Sequence, residues 1–456
     1  MKLFCGIDFG TSNTKAVLLD DQMLLLDRIT LPVKQSFDID AELIWLSHFK
    51  NVIQYFKSKG LLDYNKVCCS ITSQGGTFVF LDKKFRPITE PISWLENASM
   101  NTVKSLADFF TPEEYYRMTG WEPHPWLAVF KIKERLEKNK LSGKLRYVSM
   151  IPEYIHAQLT GRFITDVTNA QITGLCDFRQ LSWSEGVMNW AGLKTELLPQ
   201  ICSKPEIILE KLDIEGVKID IFTSSHDQYA LMHAADIQVD RDVLLGTGTA
   251  WVLNGRVSEP LYKDDFSIHP GRDIDEGCYG FIQTFGPVGN DFDKLLTELN
   301  IDYSHFSELR SQFPSLGIDV FSMPLCDNVD NKVSIAVKNY MDVTASKVLY
   351  AIERLGLDYQ LQKLIMTGGA TASSYWPQAI ANLTRMVIET VDFPEMTALG
   401  AAKFARSTLL KVRDTGGIHW PKQANVRYIE PKDTEKYREW YTRKQKPILI
   451  KELSRS

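Results

Sequence analysis

A strand, a tight turn rich in glycine and hydroxyl residues, and a second strand occur in both halves of the chain, and this recurrence constrains the fold most. The first copy is CGIDFGTSNTKAVLLD, from Cys5 to Asp20, and the second is LLGTGTAW, from Leu244 to Trp251. Apolar runs on both sides of each turn indicate a hairpin rather than a strand that leads into a helix. The copies lie roughly 235 residues apart, so each half is predicted to hold one such hairpin.

Helical spacing of apolar residues alternates with the predicted strands, at 40–59, 127–138, 152–159, 343–355 and 375–383. A further strand, Lys363 to Thr367, runs through Gly368 and Gly369 into the last of these helices. The chain has 456 residues, enough for two or three domains with sizeable cores. The sequence therefore predicts an α/β protein of two domains, residues 1–240 and 241–456, divided where the hairpin pattern starts again.

Composition excludes several classes of protein. The net charge is -5 and no long basic block occurs, which argues against nucleic acid or an anionic membrane surface as partner. The seven cysteines include no C-x-x-C pair, so neither a zinc site nor a secreted disulfide framework is expected. No apolar run approaches the ~18 residues of a membrane span, and the N-terminus lacks a signal-peptide pattern. A reducing cytoplasm is the predicted location.

The three glycine-bearing segments are candidate nucleotide sites, each with an ordinary alternative. The first fits neither the P-loop nor the dinucleotide-binding pattern, yet its successive amides suit an anion, and Asp8 beside them suits Mg²⁺. The alternative is a plain hairpin in which Gly10 supplies a positive φ. The second turn has no acidic residue. Gly368 and Gly369 allow a base or ribose to approach the backbone, or simply precede a helix capped by Thr371 or Ser373.

In order and spacing, these three segments resemble the two phosphate motifs and the adenosine motif of the superfamily of sugar kinases, hexokinase, actin and the heat-shock chaperones. More narrowly, the chain resembles the FGGY carbohydrate kinases over most of residues 1–410. Other segments that match this family are SQGGTFVFLD, PISWLEN, LTGRFITDVTNAQITGLCDF, SSHDQYALMHAAD and EMTALGAAKFA. The resemblance implies two actin-like, ribonuclease H-like domains with a central interdomain cleft.

The resemblance also assigns roles. Asp227 matches the catalytic base. Without the surrounding motif, this aspartate would be interpreted as a helix cap or a surface acid. A carboxylate beside the attacking hydroxyl suits phosphoryl transfer to an alcohol. Asp8 matches the acid associated with Mg²⁺. The residues that match nucleotide-binding positions are Gly10, Thr11, Ser12, Asn13, Lys15, Gly246, Thr247, Gly248, Gly368 and Gly369.

The residues that match sugar-contacting positions are Gln74, Gly75, Trp94 and His226, together with Asp227. Trp94 is either a wall of the sugar site or a core aromatic residue. The chain departs from the family where many members have W-x-D-x-R, because it has Glu96 and Ala98 after Trp94. The His226–Asp227 pair is more similar to kinases of fuculose and rhamnulose than to glycerol kinases.

The resemblance thus implies an enzyme that transfers the γ-phosphoryl group of ATP, with Mg²⁺, to a hydroxyl of a ketose or polyol of the xylulose, fuculose or rhamnulose type. One alternative is a non-catalytic sensor of sugar or nucleotide, because the second domain is shortened between Gly289 and Leu355. Another is a nucleotide-driven switch, which would not need Asp227. Neither nucleic acid nor membrane is an expected partner. A homodimer is the assembly expected from general frequency.

Overall fold

The computed structural model describes residues 2–33, 42–62, 66–138, 143–223, 225–275, 277–309, 329–357, 360–411 and 420–453. Their strands are β1 (Lys2–Phe9), β2 (Asn13–Leu19), β3 (Leu25–Pro32), β4 (Lys66–Ser73), β5 (Phe78–Leu81), β6 (Tyr147–Met150), β7 (Ile164–Asp166), β8 (Cys176–Asp177), β9 (Ser182–Trp183), β10 (Gln200–Cys202), β11 (Ile207–Ile214), β12 (Val217–Phe222), β13 (Ser225–His226), β14 (Asp242–Thr247), β15 (Trp251–Val257), β16 (His269–Arg272), β17 (Tyr279–Thr284), β18 (Lys363–Gly368), β19 (Ile388–Asp392) and β20 (Asn425–Ile429).

The α-helices are α1 (Ser47–Ser58), α2 (Met100–Lys104), α3 (Pro112–Thr119), α4 (Ala128–Lys138), α5 (Ile151–Thr160), α6 (Val167–Gln171), α7 (Glu185–Ala191), α8 (Asp227–Ala234), α9 (Val288–Glu298), α10 (Tyr303–Leu309), α11 (Val329–Leu355), α12 (Tyr375–Thr384), α13 (Met396–Leu410), α14 (Thr434–Trp440) and α15 (Lys446–Leu453). Shorter turns of 3₁₀ or π type lie at 42–46, 105–108, 195–197, 369–372 and 441–445.

The chain forms two compact units that are not contiguous in sequence. Unit 1 comprises residues 1–236, 257–281 and 395–422, and unit 2 comprises residues 237–256, 282–394 and 423–456. Two later segments therefore join unit 1. The prediction that residues 1–240 form a sugar-binding half and residues 241–456 a nucleotide-binding half remains a prediction.

Unit 1 is built on a sheet of order β11-β12-β4-β1-β2-β3, with β13 also paired to β4. The predicted first hairpin is present, because β1 and β2 are antiparallel from Phe4–Leu19 to Phe9–Thr14. By contrast, β4 is parallel to β1, β12 and β13. Apolar residues of β1 such as Leu3 and Ile7 are fully buried, because helix α1 covers one face of the sheet with its apolar stripe.

Helix α13 lies against β1 and α8 with no side chains to separate the backbones. A Cβ on Gly6 of β1 would lie 2.6 Å from the amide nitrogen of Ala402. A Cβ on Gly400 would lie 2.5 Å from the carbonyl carbon of Ala230 in α8. Glycine is required at both positions because the backbones approach so closely.

In unit 2, neighbouring strands follow the order β17-β15-β14-β18-β19-β20. The second predicted hairpin is present as antiparallel β14 and β15, whereas β18 runs parallel to both β14 and β19. Trp376 at the start of α12 is buried beside Trp251 and Phe292, with ring centroids 4.9 and 4.8 Å away. Its indole N–H donates to the Met341 carbonyl of α11 at 3.0 Å, so the helices are fixed on this sheet.

Candidate active site

Three parallel strands of unit 1 end side by side. Phe9 of β1 and His226 of β13 are both register partners of Ser73, the last residue of β4. Parallel strands have their carboxyl ends at one edge, where the open sheets of α/β proteins bind ligands. The register therefore brings Asp8, near the end of β1, and Asp227, directly after β13, to the same edge.

The two carboxylates affect each other. Asp8 is partly exposed, and Lys15 is its register partner on β2. Burial and the negative charge of Asp227 raise the pKa of Asp8 to about 8, while the charge of Lys15 opposes this shift. When both carboxyl groups are ionised, the single lysine leaves excess negative charge, which a divalent cation would neutralise. Carboxylate oxygens are also the ligands that Mg²⁺ prefers.

The first turn, residues 10–13, is closed by a hydrogen bond from the Gly10 amide to the Asn13 carbonyl at 3.0 Å. The Val33 amide donates to the Ser12 carbonyl at 2.9 Å, which attaches the turn to the end of β3. Ser12 is exposed, and Gly10 and Asn13 are partly exposed. The turn thus presents polar groups to solvent beside Asp8.

Thr11 connects this turn to two of the predicted sugar-binding residues. Its hydroxyl donates to Oε1 of Gln74, and it accepts the indole N–H of Trp94 at 3.1 Å. The Trp94 amide donates to the Thr77 hydroxyl at 3.0 Å. Trp94 is partly exposed rather than a core residue, so its polar edge is held by hydrogen bonds while part of the ring stays accessible.

Lys131, which the sequence did not single out, connects the loop that contains Gly76 with the loop that contains Ser93 and Trp94. It is 3% exposed on α4, and its ammonium donates to the carbonyl of Ser93 at 2.8 Å and to that of Gly76 at 3.3 Å. Burial lowers the pKa of Lys131 to about 8. The signal in the sequence was a lysine within the apolar run AVFKI, where a helix face is otherwise buried.

Asp227 is the first residue of α8, and its side chain is 29% exposed. The helix has no side-chain cap, so Asp227 is not the capping residue of the alternative interpretation. Nε2 of His226 lies 3.1 Å from Oδ1 of Asp227, in an alignment too poor for a hydrogen bond. The His226 ring is held against Gly75, where a Cβ would lie 2.6 Å from Nε2. The ring beside the proposed base is therefore fixed by packing.

The predicted nucleotide residues of unit 2 form a second cluster. Gly246 and Thr247 end β14, and the Thr247 hydroxyl donates to the Thr367 carbonyl at 2.7 Å and accepts the Ala370 amide at 3.2 Å. Gly368 has a φ of +98°, and a Cβ there would lie 2.7 Å from the carbonyl carbon of Thr247. The second turn and the glycine loop are thus one packed structure.

The glycines of this cluster are accessible: Gly248, Gly368 and Gly369 are all exposed. The alternative of a capped helix is also present in part, because the Ser373 hydroxyl accepts the amides of Tyr375 at 3.1 Å and Trp376 at 3.4 Å. Capping by Ser373 leaves the two glycines free of side chains, so the two interpretations are compatible.

Among the described residues, His233, Asp273 and Asp275 have ligand atoms within 4.8 Å of one another, close enough to hold a metal ion. This group lies outside the strand-end edge and contains neither Asp8 nor Asp227. Oδ1 of Asp273 already accepts the Asp275 amide at 3.0 Å and lies 3.7 Å from Nε2 of His233. Within the described part of the chain, no helix is both long and apolar enough to cross a membrane.

The fold is that of two-domain kinases. The chain superposes on the crystal structure of ligand-bound xylulose kinase from Lactobacillus acidophilus with a TM-score of 0.83 and 20% sequence identity, over 100% of this chain and 99% of that one. The predicted α/β, actin-like two-domain fold is thereby confirmed.

The sequence comparisons define the family. Residues 3–221 match the N-terminal domain of the FGGY family of carbohydrate kinases, and residues 340–408 match its C-terminal domain. The glycerol kinase of Thermococcus kodakarensis is 23% identical over 96% of this chain and 94% of that protein. A rhamnulokinase of Klebsiella pneumoniae is 24% identical over 46% of this chain and 43% of that protein.

The chain belongs to the FGGY family of carbohydrate kinases. It is a phosphotransferase with an alcohol group as acceptor, and ATP is the phosphate donor that the family implies. The relatives bear the names of different substrates, so family membership leaves the sugar open.

Proposed function

We propose that this kinase transfers the γ-phosphoryl group of Mg-ATP to a hydroxyl of a ketose or polyol of the xylulose, fuculose or rhamnulose class. The observation that carries the proposal is the pair of carboxylates, Asp8 and Asp227, at one edge of the unit 1 sheet. The pair lies where the first turn, Gln74 and Trp94 meet. This arrangement offers a base, oxygen ligands for a cation and a polar wall with an aromatic ring.

Asp227 is the proposed general base. Phosphoryl transfer to an alcohol needs a carboxylate that accepts the proton of the attacking hydroxyl. The Asp227 side chain is 29% exposed, so part of its carboxylate is accessible to a hydroxyl group, while its buried Oδ1 lies 3.1 Å from Nε2 of His226. His226, packed on Gly75, would limit the orientation of this carboxylate and contact the sugar.

Asp8 is the proposed residue for Mg²⁺, directly or through water. The residues fit such an ion, because Asp8 carries an oxygen donor whose pKa is raised by burial and by the Asp227 charge, and a cation would relieve both. Bound Mg²⁺ would neutralise charge on the transferring phosphoryl group. Gly10, Thr11, Ser12, Asn13 and Lys15 are proposed to contact the phosphates. These residue roles rest on the family resemblance and on their position beside Asp8.

In unit 2, Gly246, Thr247 and Gly248 are proposed to contact the phosphates, and Gly368 and Gly369 the adenosine. The support is the exposed glycine backbone, which lets a planar ligand approach closely. The hydrogen bonds between Thr247 and the loop around Gly368 would keep the phosphate contacts and the adenosine contacts at a fixed distance from each other.

The sugar class is argued from the wall around Trp94. Glu96 bonds Arg135 at 2.8 Å and accepts the Ser93 amide at 3.1 Å, so its carboxylate is engaged in the loop. Ala98 is buried and has no charge. The arginine that many family members have at this place is therefore missing. A neutral ketose or polyol suits such a site better than a sugar acid, which would need a cation.

The test is a panel of xylulose, rhamnulose, fuculose, ribulose, glycerol and gluconate with Mg-ATP. We expect turnover of at least one ketose or polyol, and a loss of kcat of roughly 100-fold or more in Asp227→Asn. Glu185→Gln is the matched control, because Glu185 is likewise the first residue of its helix but is exposed. It should leave kcat unchanged.

Three results would each contradict a part of the proposal. Turnover of gluconate alone would contradict the sugar class. Binding of ATP and sugar with no turnover of any member would favour the non-catalytic sensor, and full activity in Asp227→Asn would remove the base. Asp8→Asn should weaken Mg²⁺-dependent turnover far more than sugar binding, and equal losses would contradict its role with the metal.

A further inference from the structure

The peptide that leads into Asp227 is held by three hydroxyl groups from other elements. The Ser70 hydroxyl of β4 donates to the Thr223 carbonyl at 2.8 Å, and that of Thr72 donates to the Ser225 carbonyl at 2.6 Å. From α6, the Thr168 hydroxyl accepts the amide of His226 at 2.8 Å. The last of these bonds lies one residue before Asp227.

Thr168 is itself fixed by a buried carboxylate. Its hydroxyl donates to Oδ1 of Asp166 at 2.5 Å, and its amide donates to the same oxygen at 2.9 Å. Asp166 also accepts the Asn169 amide at 3.1 Å, which makes it the N-cap of α6. Thr168 and Asp166 are 0% and 3% exposed.

The direction of these bonds matters. Because the Thr168 hydroxyl donates its hydrogen bond to Asp166, a lone pair of the same oxygen accepts the His226 amide. A hydroxyl that donates to a carboxylate oxygen is also a better acceptor, since hydrogen bonds in a chain polarise one another. Asp166, Thr168 and the His226 amide thus form one buried chain that ends at the backbone of the proposed base.

We propose that Thr168 is a positioning residue for the phosphoryl transfer and sets the place of the Asp227 carboxylate through the His226 amide. The inference rests on the proposed function of Asp227. Thr168 touches neither the carboxylate nor His226's ring in this chain of bonds, so its effect passes through the backbone. A planar peptide joins the two residues and fixes their Cα atoms about 3.8 Å apart, so a shift at His226 also displaces the backbone of Asp227.

The decisive substitution is Thr168→Val, which keeps the shape and removes both bonds of the hydroxyl. The buried His226 amide then loses its acceptor and the peptide must move to find another. A displacement near 1 Å at a catalytic group costs about 100-fold. We expect kcat to fall roughly 10- to 100-fold, with KM for ATP unchanged. Thr168→Ser, which retains the hydroxyl, should restore kcat to within about threefold.

Thr173→Val is the matched control. The Thr173 hydroxyl also donates to one acceptor, the Ala170 carbonyl at 2.6 Å, and accepts one amide, that of Leu175 at 3.0 Å. It is buried in the same segment but makes none of the bonds to residues 223–227. Its loss should lower thermal stability about as much as Thr168→Val does, with kcat unchanged.

Measured together with Asp227→Asn, these variants separate the possible outcomes. Loss of kcat in Thr168→Val with rescue by Thr168→Ser supports the inference. Wild-type kcat in Thr168→Val, or equal losses in both valine variants, overturns it while Asp227→Asn remains inactive. Full activity in Asp227→Asn overturns the proposed function instead. If Thr168→Val does not fold, Thr168→Ala is measured in its place against the same expected loss.

Discussion

Replacing Gly400 by alanine tests how closely α13 and α8 pack. The new Cβ would lie 2.5 Å from the carbonyl carbon of Ala230 and closer still to its oxygen, whereas real Cβ atoms essentially never approach within 3.0 Å. The obstacle is backbone, so no side chain can rotate away. Because the oxygen would lie only 1.8 Å from the new Cβ, the two helices must separate by about 1 Å, and contacts along both helices are lost with that movement.

The expected cost follows from these distances. Overpacking a core costs about 1 to 3 kcal/mol, and a clash with the backbone of a facing helix lies at or beyond the upper end. Alanine recovers up to about 1 kcal/mol through its better helix propensity. We expect a net loss of about 2 to 3 kcal/mol, which lowers Tm by roughly 5 to 10 °C for a unit of this size.

Thermal unfolding followed by circular dichroism measures this loss, with Gly143→Ala as the control. A Cβ on Gly143 would have no other atom within 4 Å, and the φ of Gly143 is not positive, so alanine should leave Tm within about 1 °C. A Tm for Gly400→Ala equal to that of the control would refute the close approach of α13 to α8.

Three further predictions concern the nucleotide cluster, a buried acid and the sugar wall. Gly368→Ala should raise KM for ATP at least tenfold, because alanine is strained at φ +98° and its Cβ would clash with Thr247 of the second turn. Gly369→Ala should change this KM much less, because the nearest atom to its Cβ would be 3.8 Å away. Equal effects of the two substitutions would contradict the prediction. Burial raises the pKa of Glu153 from 4.5 to about 7, so its ionisation lowers the free energy of unfolding progressively above pH 4.5 and fully above pH 7. Glu153→Gln should therefore stabilise the protein at pH 8 by up to about 3 kcal/mol, seen as a higher Tm than that of the wild type, but not at pH 4. A difference in Tm that does not depend on pH would contradict this prediction. Trp94→Phe removes the bond to Thr11 and should raise KM for the sugar several-fold with KM for ATP unchanged, and the reverse pattern would remove Trp94 from the sugar wall.

The sequence allowed both hairpins to be predicted because their information is local. Apolar runs flank turns of glycine and hydroxyl residues, and β1–β2 and β14–β15 form where the pattern indicates. The strand before Gly368 is also where the pattern puts it. Short-range hydrogen bonds and strand alternation are sufficient to specify these pieces.

The parallel pairing in unit 1 was not accessible to the same reasoning. Nothing in a single sequence says that Ser73 pairs with both Phe9 and His226, which are separated by most of unit 1. The resemblance to a family supplied the grouping of Asp8 with Asp227. Similarly, Asp166 followed by Thr168 is a readable capping signal, but the bond from Thr168 to His226 joins distant segments and has no local pattern.

The discontinuity of unit 1 escaped prediction for a related reason. Residues 395–422 follow β19 of unit 2 directly, yet α13 packs on β1 and α8. The run TALGAAKFA has small residues at Ala398, Gly400 and Ala402, which is compatible with close packing but does not name the partner. The structure shows that α13 packs on β1 and α8, because Gly6 lies against the backbone of Ala402 and Gly400 lies against the backbone of Ala230.

These glycine contacts also determine the geometry of the proposed chemistry. Gly6 lies two residues before Asp8 on β1, and Ala230 lies three residues after Asp227 on α8, with α13 between them. The spacing of the two carboxylates is therefore set from below by backbone contact with one helix, and from the side by the Thr168 bond. Side chains in a packed wall can adjust to a substitution, whereas contacts between backbones cannot. In the absence of a cation, burial and the charge of Asp227 raise the pKa of Asp8 and favour a proton on that group, and a bound divalent ion would take the place of this proton.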